Sequence, residues 1–136
     1  MIERLDEAVT RFMVHCGQDV PEGPTVPDEA TRNLREALIV EELNELFHAT
    51  ALYEHDNIAE EEYLVEVADA LGDLLVVVAG AAIAYGIPTM EVLEEIMRSN
   101  ETKYVDGKII KDEKGKVMKP ESYEPPNLKR VLFPDA

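Results

Sequence analysis

The sequence predicts an all-α fold: a four-helix bundle followed by a short C-terminal hairpin or extended arm. Apolar residues recur at helical intervals through most of the first 100 positions, and proline and glycine separate these periodic segments. Short β-branched runs with turn residues between them follow, near positions 105–110 and 114–118. At 136 residues the chain is long enough for one domain with a real core. We therefore expect a single domain, with a helical core over about 1–100 and an arm and tail over about 101–136.

A proline-rich loop separates the first two helices. The first helix should run over about residues 2–15, where apolar side chains recur every three or four positions. Residues 20–27 hold three prolines and a glycine, a composition typical of a loop. Asp28 can cap the second helix, which should continue to about Tyr53.

The third helix should be the most deeply buried. It is expected over about residues 60–85, and a fourth over about 89–100. The segment 74–85 is apolar on every side, and such a helix is normally buried all round. Even when extended to Ile87 the run has 14 residues, fewer than the roughly 20 needed to span a bilayer. We therefore expect a core helix and no membrane association.

Charge is distributed unevenly along the chain. The net charge is −16, which disfavours nonspecific binding to nucleic acid. Residues 1–97 carry 22 acidic and 4 basic side chains, whereas residues 98–136 carry 7 acidic and 9 basic ones. An acidic body followed by a cationic segment suits a phosphate ester bound through a metal on one side and lysines on the other. The first 20 residues show no secretory signal, and a single cysteine cannot form an internal disulfide, so we expect a cytoplasmic protein.

Two acidic pairs at helical spacing are the strongest chemical signal. Glu42 and Glu45 form one pair, Glu66 and Asp69 the other. Residues three apart on a helix lie about 60° apart, so both carboxylates of a pair point in one direction. Glu41 and Asp73 extend the two rows. Converging carboxylates with few His or Cys residues favour a hard cation such as Mg²⁺ or Mn²⁺ over a softer metal.

Together with the motifs that follow, these residues resemble the all-α nucleoside triphosphate pyrophosphohydrolases, the MazG-like superfamily. The closest likeness is to the phosphoribosyl-ATP pyrophosphohydrolase-like branch, and it covers about residues 30–127. The likeness rests on the Glu-Glu-x-x-Glu helix at 41–45, on residues 66–75, and on three later motifs: Tyr85-Gly86-Ile87, Arg98-Ser99-Asn100 with Lys103, and the glycine-lysine arm 115–120 that leads to Tyr123.

The resemblance implies hydrolysis between the α and β phosphates of a nucleoside triphosphate, with Mg²⁺ or Mn²⁺ as cofactor. Glu41 would be the catalytic residue that orients or deprotonates the attacking water. The implied metal ligands are Glu42, Glu45, Glu66, Asp69 and Asp73. The implied substrate-binding residues are Asn100, Lys103, Lys116 and Lys119. Family members commonly form dimers or tetramers, so the resemblance also implies a homodimer or a dimer of dimers.

The second acidic pair departs from the family pattern. Many relatives place the Glu-x-x-Asp pair directly before the apolar run, where the aspartate would be Asp73 and the glutamate would stand at Ala70. Here the literal pair, Glu66 and Asp69, lies one turn earlier. The sequence leaves open whether Asp69 or Asp73 is the principal ligand, and both can contribute.

The sequence leaves three alternative functions open. A carboxylate di-iron bundle needs two Glu-x-x-His motifs; Glu45 with His48 supplies one copy, and the sequence contains no second. True phosphoribosyl-ATP pyrophosphohydrolase of histidine biosynthesis shares the metal chemistry, but the proline-rich loop and the lysine arm favour the stand-alone branch that removes unwanted nucleotides. Within that branch dUTP is a plausible substrate by resemblance. A noncatalytic helical binding protein is the third alternative, and it predicts indifference to divalent metal.

Overall fold

The computed structural model describes residues 3–136 and confirms the all-α fold. The chain divides into two compact units, one ending at Ile87 and one beginning at Pro88. The first unit contains α1 (Leu5–His15), α2 (Glu29–Glu54) and α3 (Glu60–Ala84). The second contains α4 (Thr89–Glu101), β1 (Tyr104–Val105), β2 (Lys108–Ile109) and α5 (Leu128–Leu132). The expectation of a single domain stays a prediction.

The helix boundaries agree with the sequence signals to within a few residues. The predicted start of the first helix at Ile2 lies outside the described residues. Within them, α1 begins at Leu5. At the start of α2 the Asp28 carboxylate accepts a hydrogen bond from the backbone N–H of Thr31 at 2.8 Å, as its capping role requires. The short helix α5 was not anticipated, because five residues are too few to show a helical period.

The core of the first unit lies where α3 packs against α1. Val9 and Met13 of α1 meet Ala79 and Ile83 of α3, and all four side chains are buried. The small residues on this part of α3 let the helices approach closely and leave room for the larger α1 side chains. This packing fixes the C-terminal half of α3, which Arg35 of α2 also contacts at Gly80.

α2 and α3 form an antiparallel pair. The ring centroids of Tyr53 and Tyr63 lie 4.5 Å apart at the end where the two helices connect. At the other end, the guanidinium of Arg35 lies 3.3 Å from the position that a Cβ on Gly80 would take. Because early residues of α2 meet late residues of α3, Glu42 and Glu45 of α2 lie opposite Asp73 of α3.

The apolar helix α3 is not buried on all sides, contrary to the expectation from its composition. Leu71, Leu75 and Val78 are 45%, 58% and 46% exposed, because the other helices cover only part of its circumference. These three residues and Leu64 are spaced by seven, four and three positions, so they form one stripe along the helix. The stripe lies opposite the acidic row.

Length and composition alone would allow α3 to cross a membrane, the one such helix among residues 3–136. An 18-residue window of α3 has a mean hydropathy of 2.0, and 28% of that window is buried. Core helices of soluble proteins meet the same two criteria. The contacts of α3 with α1 and α2 favour a core helix, and the absence of membrane association stays a prediction.

The loop between α1 and α2 is fastened to the end of α3. The backbone N–H of Thr25 donates to the carbonyl oxygen of Tyr85 at 2.9 Å. Next to it, Gly86 has φ +66°, and a Cβ built there would lie 2.0 Å from the carbonyl oxygen of Gly23. Glycine is needed at position 86 both for the left-handed backbone and for this close approach.

The hairpin expected in the arm is present in the second unit. β1 and β2 pair antiparallel, with Val105 opposite Lys108. The two turn residues, Asp106 and Gly107, have φ angles of 51° and 74°. Positive φ at both central positions is the signature of a type I′ turn, whose twist matches that of paired strands.

The tail is held against α4 by a buried carboxylate and a buried hydroxyl. Glu95 is 5% exposed and accepts a hydrogen bond from the Nε of Arg98 at 2.6 Å, with Arg130 of α5 at 3.7 Å. The Arg98 guanidinium lowers the pKa of the Glu95 carboxyl. The Ser99 hydroxyl donates to the carbonyl oxygen of Glu124 at 2.7 Å. These contacts fix the otherwise irregular tail.

We predict that Gly86→Ala destabilises the protein. The left-handed conformation costs an alanine about 1–2 kcal/mol, and displacement of Gly23 adds to that cost. The measurement is the free energy of unfolding from urea denaturation. Gly72→Ala is the matched control, because a Cβ at position 72 meets no atom within 4 Å and the helix interior favours alanine by about 0.5–1 kcal/mol. Equal stability of the two variants would contradict the fastened loop.

Candidate metal centre and adjoining cavities

Three carboxylates converge between α2 and α3. One oxygen from each of Glu42, Glu45 and Asp73 lies within 4.8 Å of the other two. Glu42 and Glu45 share a face of α2 because they are three residues apart, and the antiparallel pairing brings Asp73 of α3 opposite them. We call this group the carboxylate cluster.

Glu42 is the member most perturbed by its surroundings. Its Oε2 atom is buried and has no hydrogen-bond partner among residues 3–136. Burial raises the pKa of Glu42 to about 6, and a hydrogen bond to Glu45 together with the charges of Glu45, Asp73 and Glu41 acts in the same direction. The carboxyl group therefore holds a proton at a pH where an ordinary glutamate is ionised.

The donor set of the carboxylate cluster fits a hard divalent cation. Its donors are all carboxylate oxygens, the ligands preferred by Mg²⁺ and Mn²⁺. A cation between them would offset their mutual repulsion and give the buried Oε2 of Glu42 a partner. Three donors also leave coordination positions for water and phosphate oxygens, as Mg²⁺ requires.

The other acidic residues predicted for the site line a groove along the same helix pair. The groove has a volume of about 900 Å³, and its acidic wall contains Glu41, Glu66 and Asp69 together with Glu45 of the carboxylate cluster. The rest of its lining is largely apolar and includes Val40, Ala49, Leu52 and Ile58, with Asn44 and His48 between. We call it the acidic groove.

Asp69 and Asp73 take different places in the single chain, and which of them is the principal ligand stays a prediction. Asp73 belongs to the carboxylate cluster, whereas Asp69 lines the acidic groove one turn away. Glu45 belongs to both and connects them. The metal roles of Glu66 and Asp69 stay predictions, as does the catalytic role of Glu41.

The four predicted substrate-binding residues lie in the second unit. The ammonium group of Lys103 donates to Oδ1 of Asn100 at 3.0 Å. The same ammonium and that of Lys119 lie 5.7 and 5.2 Å from the ring centroid of Tyr123. Lys116 stands apart from this group, in a turn where its backbone N–H donates to the carboxylate of Asp112. The first unit thus supplies carboxylates and the second supplies lysines; the binding role of these residues stays a prediction.

Sequence reasoning missed two polar residues of the first unit, Gln18 and Arg35. Both line a second cavity, of about 620 Å³, formed by the α1–α2 loop and the start of α2. Gln18 gave no signal because a glutamine in a loop belongs to no recognised motif. Arg35 did carry one: it precedes Glu42 by seven residues and so lies on the same side of α2.

We predict that Mg²⁺ affinity rises with pH because Glu42 must lose its proton to bind. With a pKa of about 6, going from pH 5 to pH 7 should strengthen binding about tenfold, as measured by calorimetry. For the metal-free protein in EDTA, the contribution of Glu42 to folding stability falls as pH rises, which is opposite to the trend in Mg²⁺ affinity. The raised pKa favours the folded state fully below pH 4.5, and this contribution is lost as pH rises through about 6.

Glu42→Gln should flatten both pH dependences, because glutamine does not titrate. Glu36→Gln is the matched control, since Glu36 is an exposed residue of the same helix. A wild-type pH dependence retained in Glu42→Gln would assign the titration to another group.

Comparison with known protein families agrees with this geometry. The family model described as phosphoribosyl-ATP pyrophosphohydrolase matches residues 9–100, more than half of the chain. The comparison with curated proteins gives no match. The matched segment contains α2, α3 and the whole carboxylate cluster. The chain therefore belongs to the phosphoribosyl-ATP pyrophosphohydrolase family, part of the MazG-like all-α nucleoside triphosphate pyrophosphohydrolase superfamily.

Proposed function

We propose that the protein hydrolyses nucleoside triphosphates between the α and β phosphates, releasing a nucleoside monophosphate and pyrophosphate in the presence of Mg²⁺ or Mn²⁺. Membership of the family indicates a pyrophosphohydrolase. The observation that carries the proposal further is the carboxylate cluster, which places three oxygen donors from two helices within 4.8 Å of one another.

We propose two roles for the acidic residues: most would hold the cation, and one would activate the attacking water. Glu42, Glu45 and Asp73 would hold the divalent cation, with Glu66 and Asp69 as further candidates in the acidic groove. A bound cation would polarise the phosphoryl oxygens, offset the charge of the leaving pyrophosphate and lower the pKa of water. Glu41 adjoins Glu42 in sequence and lines the acidic groove, so its carboxylate can orient a water or accept its proton.

The lysines of the second unit supply charge of the opposite sign. Lys103 and Lys119 lie over the ring of Tyr123, and Asn100 accepts a hydrogen bond from Lys103. Ammonium and amide groups of this kind bind phosphate oxygens. We propose that this group and Lys116 contact the phosphates of the substrate.

For the substrate we propose a nucleotide-cleaning role with dUTP as a candidate, as the resemblance of the arm and the proline-rich loop suggests. Phosphoribosyl-ATP is the second candidate, and the description of the matched family favours it. In both substrates the bond to be broken would be the one between the α and β phosphates, so the carboxylate cluster does not distinguish them. The substrate must therefore be decided by turnover, and we propose a cytoplasmic setting for either reaction.

The test of the reaction is release of pyrophosphate and monophosphate from a panel of substrates. The panel contains the normal and deoxy nucleoside triphosphates, dUTP and phosphoribosyl-ATP, each with Mg²⁺, Mn²⁺ or EDTA. We expect metal-dependent monophosphate production, and the preferred substrate separates the two candidates. Absence of turnover with every substrate and both metals would overturn the proposal in favour of a binding protein.

We predict that Glu42→Gln and Glu45→Gln each reduce turnover by more than about 100-fold while the helical content is retained. Loss of a direct ligand should cost at least as much as loss of a residue that orients one, which is about 10- to 100-fold. The measurements are steady-state kinetics and circular dichroism. Glu36→Gln should keep wild-type activity. Near-normal turnover in both Glu42→Gln and Glu45→Gln would remove the carboxylate cluster from the reaction.

We also propose that the protein forms a homodimer, or a dimer of dimers, through the stripe Leu64, Leu71, Leu75 and Val78. These four side chains are each at least 45% exposed in the single chain. A contiguous apolar stripe on a long helix commonly marks an interface between subunits. A second copy is its proposed occupant, because family members commonly assemble in this way.

Leu75→Glu should convert the protein into a monomer, because it places a charge in the centre of the stripe. The measurement is molar mass by light scattering during size-exclusion chromatography. Val26→Glu is the matched control, since Val26 is 75% exposed, lies in the α1–α2 loop and is not part of the stripe. A wild-type mass that equals one chain would contradict the proposal directly.

A further inference from the structure

The cavity that holds Gln18 and Arg35 has the features of a binding site and is separate from the acidic groove. It measures about 620 Å³ and shares no lining residue with the groove. Its walls come from the end of α1, the α1–α2 loop, the first turns of α2 and Ala84 of α3. The hydrogen bond from Thr25 to Tyr85 and the contact of Gly23 with Gly86 hold the loop in place.

Gln18 brings an unpaired amide to this cavity. The side-chain nitrogen and oxygen are both buried, and neither has a hydrogen-bond partner in the described part of the chain. The backbone at this point is fixed: Gly17 has φ +79°, and the N–H of Gln18 donates to the carbonyl oxygen of Met13 at 3.0 Å. This closure of α1 by a glycine in the left-handed region is a Schellman motif. A buried amide with both groups unpaired is costly unless a ligand or a water satisfies it.

Arg35 is a second, independent unsatisfied group on the same cavity. Its side chain is 9% exposed and its Nε has no hydrogen-bond partner among residues 3–136. Its Nη1 lies 3.4 Å from the sulfur of Met13, a weak acceptor, and occupies the space that a side chain at Gly80 would fill. A buried guanidinium whose Nε is unpaired and whose Nη1 meets a thioether can bind the oxygens of an anionic ligand.

The position of Arg35 connects the cavity with the carboxylate cluster. Arg35 precedes Glu42 by seven residues, so the two side chains leave α2 on nearly the same side, about 10 Å apart along the helix axis. Their partners on α3 follow the same spacing, because Gly80 lies seven residues beyond Asp73. The other α2 residues that line the cavity, Thr31 and Leu34, precede Arg35, so the cavity lies on the side of Arg35 away from the carboxylate cluster.

We infer that this cavity binds the nucleoside end of the substrate, with the Gln18 amide hydrogen-bonded to the edge of the base. The inference rests on the proposed function, because the order of cavity, Arg35 and carboxylate cluster along α2 matches the order of base, sugar and phosphates in a nucleotide. A primary amide presents one donor and one acceptor side by side. It pairs with a base edge that carries an adjacent acceptor and donor, such as N3–H and O4 of uracil. Arg35 would contact oxygens of the sugar or the α phosphate.

The first test measures nucleotide binding in EDTA, where no turnover occurs. The five monophosphates with uracil, thymine, cytosine, adenine or guanine are titrated into the protein by calorimetry. We expect at least one to bind, and Gln18→Leu to weaken its binding about 10- to 100-fold, the effect of one bidentate base contact. Asn33→Leu is the matched control, since it removes an exposed amide from α2. Failure of the wild-type protein to bind any of them, or equal binding by Gln18→Leu, would overturn the inference.

A second test changes the ligand and leaves the protein intact, so it does not depend on the folding of a variant. Methylation of N3 removes the uracil donor, and we expect 3-methyl-dUMP to bind at least about tenfold more weakly than dUMP if uracil is the preferred base. For another preferred base, the analogue methylated on its pairing edge takes this place. Equal binding of the parent and methylated nucleotides would show that the amide does not read the base, with water as its partner.

The outcome separates this inference from the proposed function. Metal-dependent release of pyrophosphate with unchanged affinity in Gln18→Leu would sustain the hydrolase and reject the base site. Selective loss of monophosphate binding in Gln18→Leu, in a protein that hydrolyses none of the triphosphates, would sustain the base site and reject the hydrolase. In the active enzyme, Gln18→Leu should raise KM and leave Mg²⁺ binding unchanged.

Discussion

The close approach of acidic side chains between α2 and α3 is the constraint that the rest of the structure must offset. Glu42, Glu45 and Asp73 are held close enough to share one cation, and burial keeps the pKa of Glu42 near 6. Such a cluster opposes folding of the metal-free chain, because like charges repel and one oxygen is removed from water. The compensating contacts lie elsewhere. The Tyr53–Tyr63 stack closes one end of the helix pair, and packing of α1 on α3 fixes the other end. Local strain at a site, offset by the surrounding fold, is typical of functional centres.

α2 acts as the axis along which the functional groups are ordered. Arg35, Glu42 and Glu45 leave it toward α3, whereas Glu41 lines the adjoining groove. A straight helix separates positions seven apart by two turns, so sequence spacing translates directly into distance. Nε of Arg35 and Oε2 of Glu42 are the buried polar atoms of this helix that lack a hydrogen-bond partner in the described part of the chain. A nucleotide has phosphates that require cations and a base that requires hydrogen bonds. Bound along α2, it would give partners to the groups beside Arg35 at one end and to a metal held by the carboxylate cluster at the other.

The two compact units carry opposite chemistry. The first holds the acidic residues and an apolar helix, and the second holds lysines arranged around Tyr123. Charge alone would make the acidic unit repel a polyphosphate, so a cation or the lysines must offset that repulsion. In the second unit, the buried Glu95 pairs with Arg98 and Arg130 and so ties the tail to α4. A unit of this size needs such contacts, because its apolar core alone is small. The exposed stripe on α3 shows in turn that the first unit does not cover its own apolar surface.

The sequence by itself determined the four longer helices, the cap of α2 and the acidic character of the candidate site. Helical periodicity, the Asp28 cap and the proline-rich loop act within a few residues, so α2, α3 and α4 could be predicted closely. The acidic pairs likewise predicted a hard-cation site, because residues three apart on a helix must share a face. Only the tertiary structure decided that Asp73, and not Asp69, joins Glu42 and Glu45, since this depends on the register between two helices. The same holds for Gln18 and Arg35: whether a polar group is buried without a partner depends on side chains far away in sequence, and no local pattern records it.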